Sequence, residues 1–262
     1  MKKVQKIRDI TSLLPLLEDP HTEFALLRSC LAYPKLSFLL RTVDTSGMSD
    51  QLKEFDRITR EALTRILGCP IGERAWLQAK LPVTAGGLGL RTAEDHAPAA
   101  YAASVLSARP LAALLLGRGV QEAAPPLPQR LLASMFTAMG EEAMEENLVG
   151  VSQKELSHKI SQHLHQQLQG GVGAEEVRER ARLLSPSLPH SGDWLNTPPL
   201  TALGLHLRST EFILVVKYRL GLAIYNRAGP CPACLRPSDT LGDHAMSCGT
   251  GGERISRHNH LR

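Results

Sequence analysis

Ser49-Asp-Gln-Leu-Lys-Glu-Phe-Asp-Arg-Ile-Thr-Arg-Glu-Ala-Leu-Thr-Arg-Ile-Leu-Gly68 is the stretch of the chain that decides its fold class. Its apolar residues recur every three or four positions, which is the spacing of one face of an α-helix. These residues are Leu52, Phe55, Ile58, Ala62, Leu63 and Ile66. Ser49 is a good N-cap and Gly68 a good C-terminal stop. The pattern therefore predicts an amphipathic helix over 49–68.

The polar face of this helix carries charges at i,i+4 spacing. Asp56 with Arg60, and Glu61 with Arg65, are predicted to form ion pairs on the outer face. The apolar face must be covered by other parts of the chain. We expect it to pack against the Leu-rich segments of residues 12–40, which precede it.

The composition of the whole chain favours helices. Of 262 residues, 43% are hydrophobic but only 4% are aromatic, so the core must consist mainly of Leu, Ala, Val and Ile. Leu and Ala are good helix formers, whereas the aromatic residues that favour strands are scarce. The chain is long enough for one sizeable domain or two modest ones, and we expect a mainly α fold.

Further helices are indicated by caps and by periodicity. Thr92-x-x-Asp95 and Ser152-x-x-Glu155 resemble capping boxes, the first opening an alanine-rich helix to about Ala108. Residues 174–184 are predicted to form another helix. Residues 211–224 are apolar almost all round, which indicates a buried helix or, as an alternative, a strand. The glycine-rich segment 81–91 lacks a phosphate-loop pattern and is predicted to be a turn.

Charge is distributed unevenly along the chain. Residues 1–91 carry a net charge of +4, residues 92–216 a net charge of −4, and residues 217–262 a net charge of +4. Basic ends around an acidic middle suit contact with a polyanion such as nucleic acid, and the acidic middle could meet a protein partner. The alternative is a solvated surface with uneven charge.

The N-terminal residues and the cysteines bear on the compartment. The first residues are charged and no long apolar run follows, so we expect no signal peptide and no membrane-spanning helix. The location is then predicted to be intracellular, in the nucleus or the cytoplasm. In that reducing environment the five cysteines are expected to be free or metal-bound, with Cys30 and Cys69 as buried thiols.

The last cysteines form the pattern Cys-x2-Cys-x9-His-x3-Cys. Cys231 and Cys234 are close enough in sequence to hold one ion, and His244 and Cys248 are about one helical turn apart. Four nitrogen and sulfur ligands are what zinc takes in a closed structural site. His258 is a weaker alternative as the fourth ligand, and Asp243 could orient His244. The competing interpretation is unpaired thiols in a polar tail.

A basic segment follows this cluster. Its candidates for nucleic-acid contact are Arg254, Arg257, His258 and Arg262, because arginine binds phosphate through paired hydrogen bonds. A solvated tail is the alternative. The sequence contains no Asp-Asp pair that would indicate polymerase chemistry, and the glutamates between 141 and 146 are interpreted as acidic helix surface.

Three segments resemble the region after the catalytic palm in reverse-transcriptase-like proteins of non-LTR retroelements. They are Leu26-Leu-Arg-Ser-Cys-Leu-Ala-Tyr-Pro-Lys-Leu36; Trp76-Leu-Gln-Ala-Lys-Leu-Pro-Val83 with Gly86-Gly-Leu-Gly-Leu-Arg91; and Gly242-Asp-His-Ala-Met-Ser-Cys248 with Arg257-His-Asn259. The resemblance implies a helical thumb-like region over 1–91, a helical linker over 92–226 and a zinc-knuckle module with a basic tail over 227–262. It also implies that Lys35, Arg41 and Arg91 contact a template–primer duplex, although these three residues could equally serve solubility.

The departures from that family shape the functional expectation. The polymerase Asp-Asp motif and an endonuclease core are both absent from this sequence. We therefore expect a non-catalytic fragment or domesticated remnant of a retrotransposon reverse transcriptase, which binds DNA or RNA and holds a structural Zn²⁺. The alternative is a helical protein-interaction scaffold with a structural zinc site. The preference for RNA or DNA, the sequence specificity and the possibility of a truncated gene model are left open.

Overall fold

A computed structural model describes residues 2–120, 126–140, 148, 150–170 and 176–250. The described chain is mainly α-helical, as the sequence predicts. The first six helices are α1 (Lys2–Ser12), α2 (Pro20–Leu26), α3 (Tyr33–Thr42), α4 (Ser49–Leu67), α5 (Glu73–Lys80) and α6 (Ala93–Leu116). The next six are α7 (Gln129–Met139), α8 (Gln153–Gly170), α9 (Val177–Leu184), α10 (Asp193–Asn196), α11 (Ser209–Leu220) and α12 (Asp243–Ser247). A π-helical turn, Leu27–Leu31, joins α2 to α3.

The only described strands are two short ones near the C-terminal end of the described chain. They are β1 (Gly229–Pro230) and β2 (Pro237–Ser238), which pair in antiparallel register as Gly229 with Ser238 and Pro230 with Pro237. With α12 they form a small module after the helical part of the chain. The predicted fold class, mainly α with a small C-terminal module, is confirmed.

Helix α4 lies where its periodicity predicts. It ends at Gly68, whose φ of 63° is the left-handed conformation that glycine adopts without strain. Ser49 was expected as the N-cap, but the N-cap is Met48 and Ser49 is the first helical residue. As expected, the apolar face packs against residues of the preceding segment, including Phe24 and Leu27, within one buried cluster.

The predicted ion pairs on the outer face of α4 are wrong. Asp56 is buried, and its carboxylate accepts hydrogen bonds from the start of α6. Arg60 donates to the Ile71 carbonyl and pairs with a glutamate of α5. Glu61 instead pairs with Arg57, and Arg65 donates to the Thr11 carbonyl at 3.0 Å. Asp56, Arg60 and Arg65 find partners outside α4 because other parts of the chain cover the helix on more than one side, and Glu61 keeps an i,i+4 pair but with Arg57.

The interior consists of three clusters of buried side chains. One joins α2, α4, α5 and α11, and includes Phe24, Trp76 and Phe212. A second lies between α6, α7, α8 and α9. A third lies where α1 and α3 meet α4 and α6, and includes Tyr33. Helix α11 therefore packs in a cluster with residues of the predicted thumb-like region, although it follows that region by more than a hundred residues.

A buried arginine ties α11 to the turn at 81–91. The Arg219 guanidinium donates to the carbonyls of Gly87 at 3.1 Å, Val83 at 2.8 Å and Pro186 at 3.2 Å. The Gln78 amide donates to the Gly86 carbonyl and to the Arg219 carbonyl. The carbonyls of Gly86 and Gly87 have no backbone donor in the described structure, and these side-chain bonds satisfy them. The predicted turn is confirmed, and its position in the fold depends on this arginine.

The two predicted capping boxes have different outcomes. Ser152 and Glu155 form theirs: the Glu155 carboxylate accepts the Ser152 N–H at 2.6 Å, and the Ser152 hydroxyl accepts the Glu155 N–H at 3.3 Å. Thr92 makes no such bond to the start of α6, because the Asp56 carboxylate occupies that place. Helix α6 also extends to Leu116, eight residues beyond the expected end.

Two further expectations are corrected in part. Residues 209–220 form a helix, so the strand alternative is wrong, but Leu214 is exposed and the helix is buried on one side only. Cys30 is exposed and Cys69 half-buried, so neither is the fully buried thiol that the apolar context indicated.

Helix α6 is long and apolar enough, by length and composition, to cross a membrane. Core helices pass the same test, and the first half of α6 is buried within the described structure.

Candidate metal centre

The first two cysteines of the C-terminal pattern lie in the hairpin between β1 and β2. The Cys231 N–H donates to the Arg236 carbonyl, and the Leu235 N–H donates to the Cys231 carbonyl, each at 2.8 Å. Leu235 adopts a left-handed φ of 63°, which a leucine rarely accepts without support from its surroundings. The tight turn places the Cys231 and Cys234 sulfurs on the same side of the hairpin.

The other two candidate ligands come from α12. His244 is in its first turn and Cys248 follows its last residue, and the Cys248 N–H donates to the His244 carbonyl at 2.7 Å. Residues four positions apart in a helical turn lie on the same face. His244 and Cys248 therefore face the hairpin together.

The four side chains converge on one point. Their ligand atoms all lie within 4.8 Å of one another. The Cys231 and Cys248 sulfurs are 3.9 Å apart, and the Cys234 sulfur is 3.2 Å from Nε2 of His244. Tetrahedral zinc with Zn–S bonds of about 2.3 Å would separate two sulfurs by about 3.8 Å. The cluster could hold a metal ion, and its donor set and spacing fit zinc.

The backbone around the hairpin turn prepares one of these thiols for metal binding. The N–H groups of Cys234 and Ala233 point at the Cys231 sulfur and lower the pKa of that thiol to about 6. A thiolate is the form that binds a metal ion. The backbone N–H groups therefore favour the thiolate form of Cys231.

An aspartate that the sequence did not indicate holds α12 in place. The Asp239 carboxylate accepts hydrogen bonds from the backbone N–H groups of His244 at 2.8 Å, Asp243 at 3.1 Å and Leu241 at 2.9 Å. Partial burial opposes ionisation, but these bonds lower the pKa of Asp239 to about 2. Asp239 thus fixes the backbone of His244, the candidate histidine ligand. The sequence signal that could have indicated this role is the position of Asp239 shortly before the start of a helix, where capping residues occur.

Asp243, which the sequence offered as the group that orients His244, has another partner. Its carboxylate pairs with the Arg178 guanidinium of α9, which also donates to Asp239 at 3.3 Å. The N–H groups of Ile224 and Tyr225 donate to the Thr240 carbonyl at 2.8 and 3.0 Å. These contacts attach the small module to α9 and to the segment after α11.

Three of the predicted nucleic-acid contacts lie within the described part of the chain. Lys35 and Arg41 are exposed on α3, and Arg41 donates to Gln153 of α8 at 2.8 Å. Arg91 lines a cleft together with Arg28, a residue that was not singled out as a contact although it stands in one of the retroelement-like segments. Arg254, Arg257, His258 and Arg262 lie outside the described residues, as do the glutamates at 141, 142, 145 and 146.

Comparison with known proteins gives partial similarity to a retroelement protein. The chain is 42% identical over 60 residues to the Retrotransposable element SLACS 132 kDa protein of Trypanosoma brucei gambiense. The aligned stretch is 23% of this chain and 5% of that protein, so the chain corresponds to a small part of it. No protein-family model matches, and no solved structure matches. The chain thus has a loose resemblance to a retroelement protein and a cluster of cysteine and histidine side chains where a metal ion could be held.

Proposed function

We propose that this chain is a non-catalytic, nucleic-acid-binding piece of a retroelement reverse-transcriptase-like protein, with a structural zinc ion in its C-terminal module. The observation that carries the proposal is the convergence of three cysteines and one histidine, in a chain that is partly similar to a retrotransposon protein. Basic segments at both ends of the sequence support contact with phosphates. A reducing intracellular location, in the nucleus or the cytoplasm, is part of the proposal, because it would leave these thiols free for metal.

Zinc would be held by Cys231, Cys234, His244 and Cys248. When bound, it would supply a crosslink between the hairpin and α12, in a module that has few buried side chains of its own. Four protein ligands leave no open position, which favours a structural role. Metal analysis of the purified full chain is expected to give one zinc per molecule. Cys234→Ser together with Cys248→Ser should abolish it, whereas Cys30→Ser, at an exposed thiol outside the cluster, should keep it.

Binding to nucleic acid is tested with duplex DNA and RNA oligonucleotides over a range of salt concentrations. The affinity is expected to fall steeply as salt rises, because binding to phosphates releases counterions. Arg254→Ala with Arg257→Ala is expected to weaken binding, and Arg118→Ala, at an exposed arginine of the acidic middle segment, serves as the control. Retention at background level in low salt would refute this part of the proposal.

The absence of catalysis is a separate part of the proposal. It predicts neither primer extension nor cleavage of DNA or RNA when the full chain is supplied with Mg²⁺ or Mn²⁺. Primer extension or nucleic-acid cleavage would show that the chain is an enzyme if it co-purifies with the protein and persists in Cys234→Ser.

A specific feature favours the alternative function of a helical protein-interaction scaffold. The last turns of α6 expose Leu111, Leu114, Leu115 and Leu116, with exposed fractions between 55% and 78%. Contiguous exposed leucines are typical of interaction surfaces. The test replaces Leu114 and Leu115 with charged residues. Loss of a co-purifying partner, with unchanged affinity for nucleic acid, would favour the scaffold.

A further inference from the structure

The π-helical turn after α2, the start of α3 and the turn at 81–91 enclose a cleft of about 390 Å³. Its walls include Arg28, Tyr33, Thr84, Gly89, Arg91 and Asn196. Within the part of the chain that the structure describes, no aspartate or glutamate lines it. Two guanidinium groups therefore share a concave surface that offers them no negative charge.

The Arg28 side chain is held in place without a counter-ion. One Nη atom donates to Oδ1 of Asn196 at 3.2 Å, and the guanidinium carbon lies 5.9 Å from the centroid of the Phe24 ring. Gly89 lies beside this side chain, and a Cβ at that position would be in ordinary van der Waals contact with Cδ of Arg28, at 3.6 Å. Burial lowers the pKa of Arg28. An amide oxygen positions this arginine but does not neutralise it.

Arg91 is exposed and forms no described ion pair. The positive charges of Arg91 and Arg41 both act on Tyr33, whose pKa is raised mainly by burial. The tyrosine ring thus lies where two arginines from different elements approach. Arginines without acidic partners on a concave surface are the usual means of binding a phosphate group.

We propose that this cleft binds a backbone phosphate of nucleic acid, with Arg28 and Arg91 as the two ligands. The inference rests on the proposed function and identifies where the helical part of the chain meets the polyanion. A half-buried guanidinium that is already positioned, such as that of Arg28, loses little conformational freedom on binding, whereas an exposed one such as that of Arg91 can adjust to the phosphate. Such a contact would carry little sequence preference, because phosphates are the same at every step.

The test compares variants of the full chain for binding to one duplex oligonucleotide at several salt concentrations. Arg28→Gln and Arg91→Gln are each expected to weaken binding about fivefold and to reduce the slope of log affinity against log salt by about one. Arg118→Gln removes an exposed arginine that is not part of the cleft, and should leave both quantities unchanged.

Asn196→Asp is the sharper variant, because it is nearly isosteric and removes no arginine. A carboxylate at this position would pair with Arg28 and compete with the phosphate. It is expected to weaken binding about fivefold without lowering the thermal midpoint of unfolding. This variant also answers the objection that Arg28→Gln binds poorly because it folds poorly.

The outcomes separate this inference from the proposal on which it rests. If the unaltered chain binds with the expected salt dependence but all three cleft variants bind equally well, the cleft is not the contact and the proposed function stands. Weaker binding with an unchanged salt slope would likewise overturn the inference, since no phosphate contact would have been lost. A further outcome is that inorganic phosphate saturates the cleft while Arg28→Gln and Arg91→Gln leave the oligonucleotide affinity unchanged. In that case the occupant is a free anion and the inference fails. No binding by the unaltered chain refutes both.

Discussion

The Asp56 carboxylate, in the middle of α4, accepts a hydrogen bond of 2.7 Å from the backbone N–H of Ala93, the first residue of α6. Its second oxygen accepts the Glu94 N–H at 2.9 Å. A side chain of α4 thus caps the N-terminal end of α6. This capping residue lies 37 positions before Ala93 in the sequence. The negative charge also interacts favourably with the positive end of the α6 dipole.

Asp56 makes stability depend on pH. Burial raises the pKa of Asp56 to about 7, despite the two backbone hydrogen bonds. A carboxyl group whose pKa is higher in the folded state than in the unfolded state binds a proton on folding, so its contribution to stability grows as the pH falls from 7 towards 4. The advantage of the unaltered chain over Asp56→Asn should therefore increase by about 2 kcal/mol between pH 7 and pH 5. Denaturant unfolding followed by Trp76 and Trp194 fluorescence measures it, and a difference that is constant with pH would contradict the prediction.

Replacing Arg219 should destabilise the helical part of the chain. Arg219→Met would leave the buried Gly87 carbonyl without a donor. It would also remove one of two donors from the carbonyls of Val83 and Pro186, and the expected loss is about 3 kcal/mol. Arg208→Met is the control at the N-cap of the same helix, because the Arg208 side chain is exposed and pairs only with Glu211, whose bond from the Arg208 N–H the substitution keeps. The free energy of unfolding from denaturant titration should fall for the first variant and stay nearly unchanged for the second.

Gly87 is the glycine of the 81–91 turn that a side chain would disrupt most directly. A Cβ there would overlap the carbonyl of Leu81, which is backbone and cannot move aside cheaply. Gly87→Ala is expected to cost at least about 3 kcal/mol of stability. A Cβ at Gly47 would meet nothing within 4 Å, so Gly47→Ala serves as the control. Equal thermal midpoints for the two variants would show that the turn adapts more easily than its packing indicates.

Asp239 should affect metal binding more than its neighbour Asp243 does. Asp239→Asn removes one of the two acceptor oxygens that hold the N–H groups around His244, and the zinc affinity should fall about 10- to 100-fold. Asp243→Asn removes only a contact with Arg178 and should change the affinity much less. Competition with a chromogenic chelator measures both. A similar loss of zinc affinity in the two variants would contradict the prediction. It would indicate that the affinity depends on how the module is attached to α9.

Much of the helical fold could be predicted from sequence because its causes are local. The start and end of α4 follow from the spacing of its apolar residues and from Gly68, and the capping box of Ser152 and Glu155 lies within one turn. The four-residue metal pattern is also local, since a tight hairpin and one helical turn bring Cys231, Cys234, His244 and Cys248 together. Short-range geometry limits these groups to few arrangements, so spacing alone indicates them.

What the sequence determined by itself was the helical class, the approximate positions of five of the twelve described α-helices and the identity of the clustered cysteines and histidine. Tertiary structure decided which polar side chains matter. Asp56 was expected to form a surface pair and instead caps another helix, while Arg28 and Arg91, 63 residues apart, meet in one cleft. These roles depend on how helices pack against each other. The partner of a charged group comes from whichever element lies beside it, and no short-range spacing encodes that neighbour.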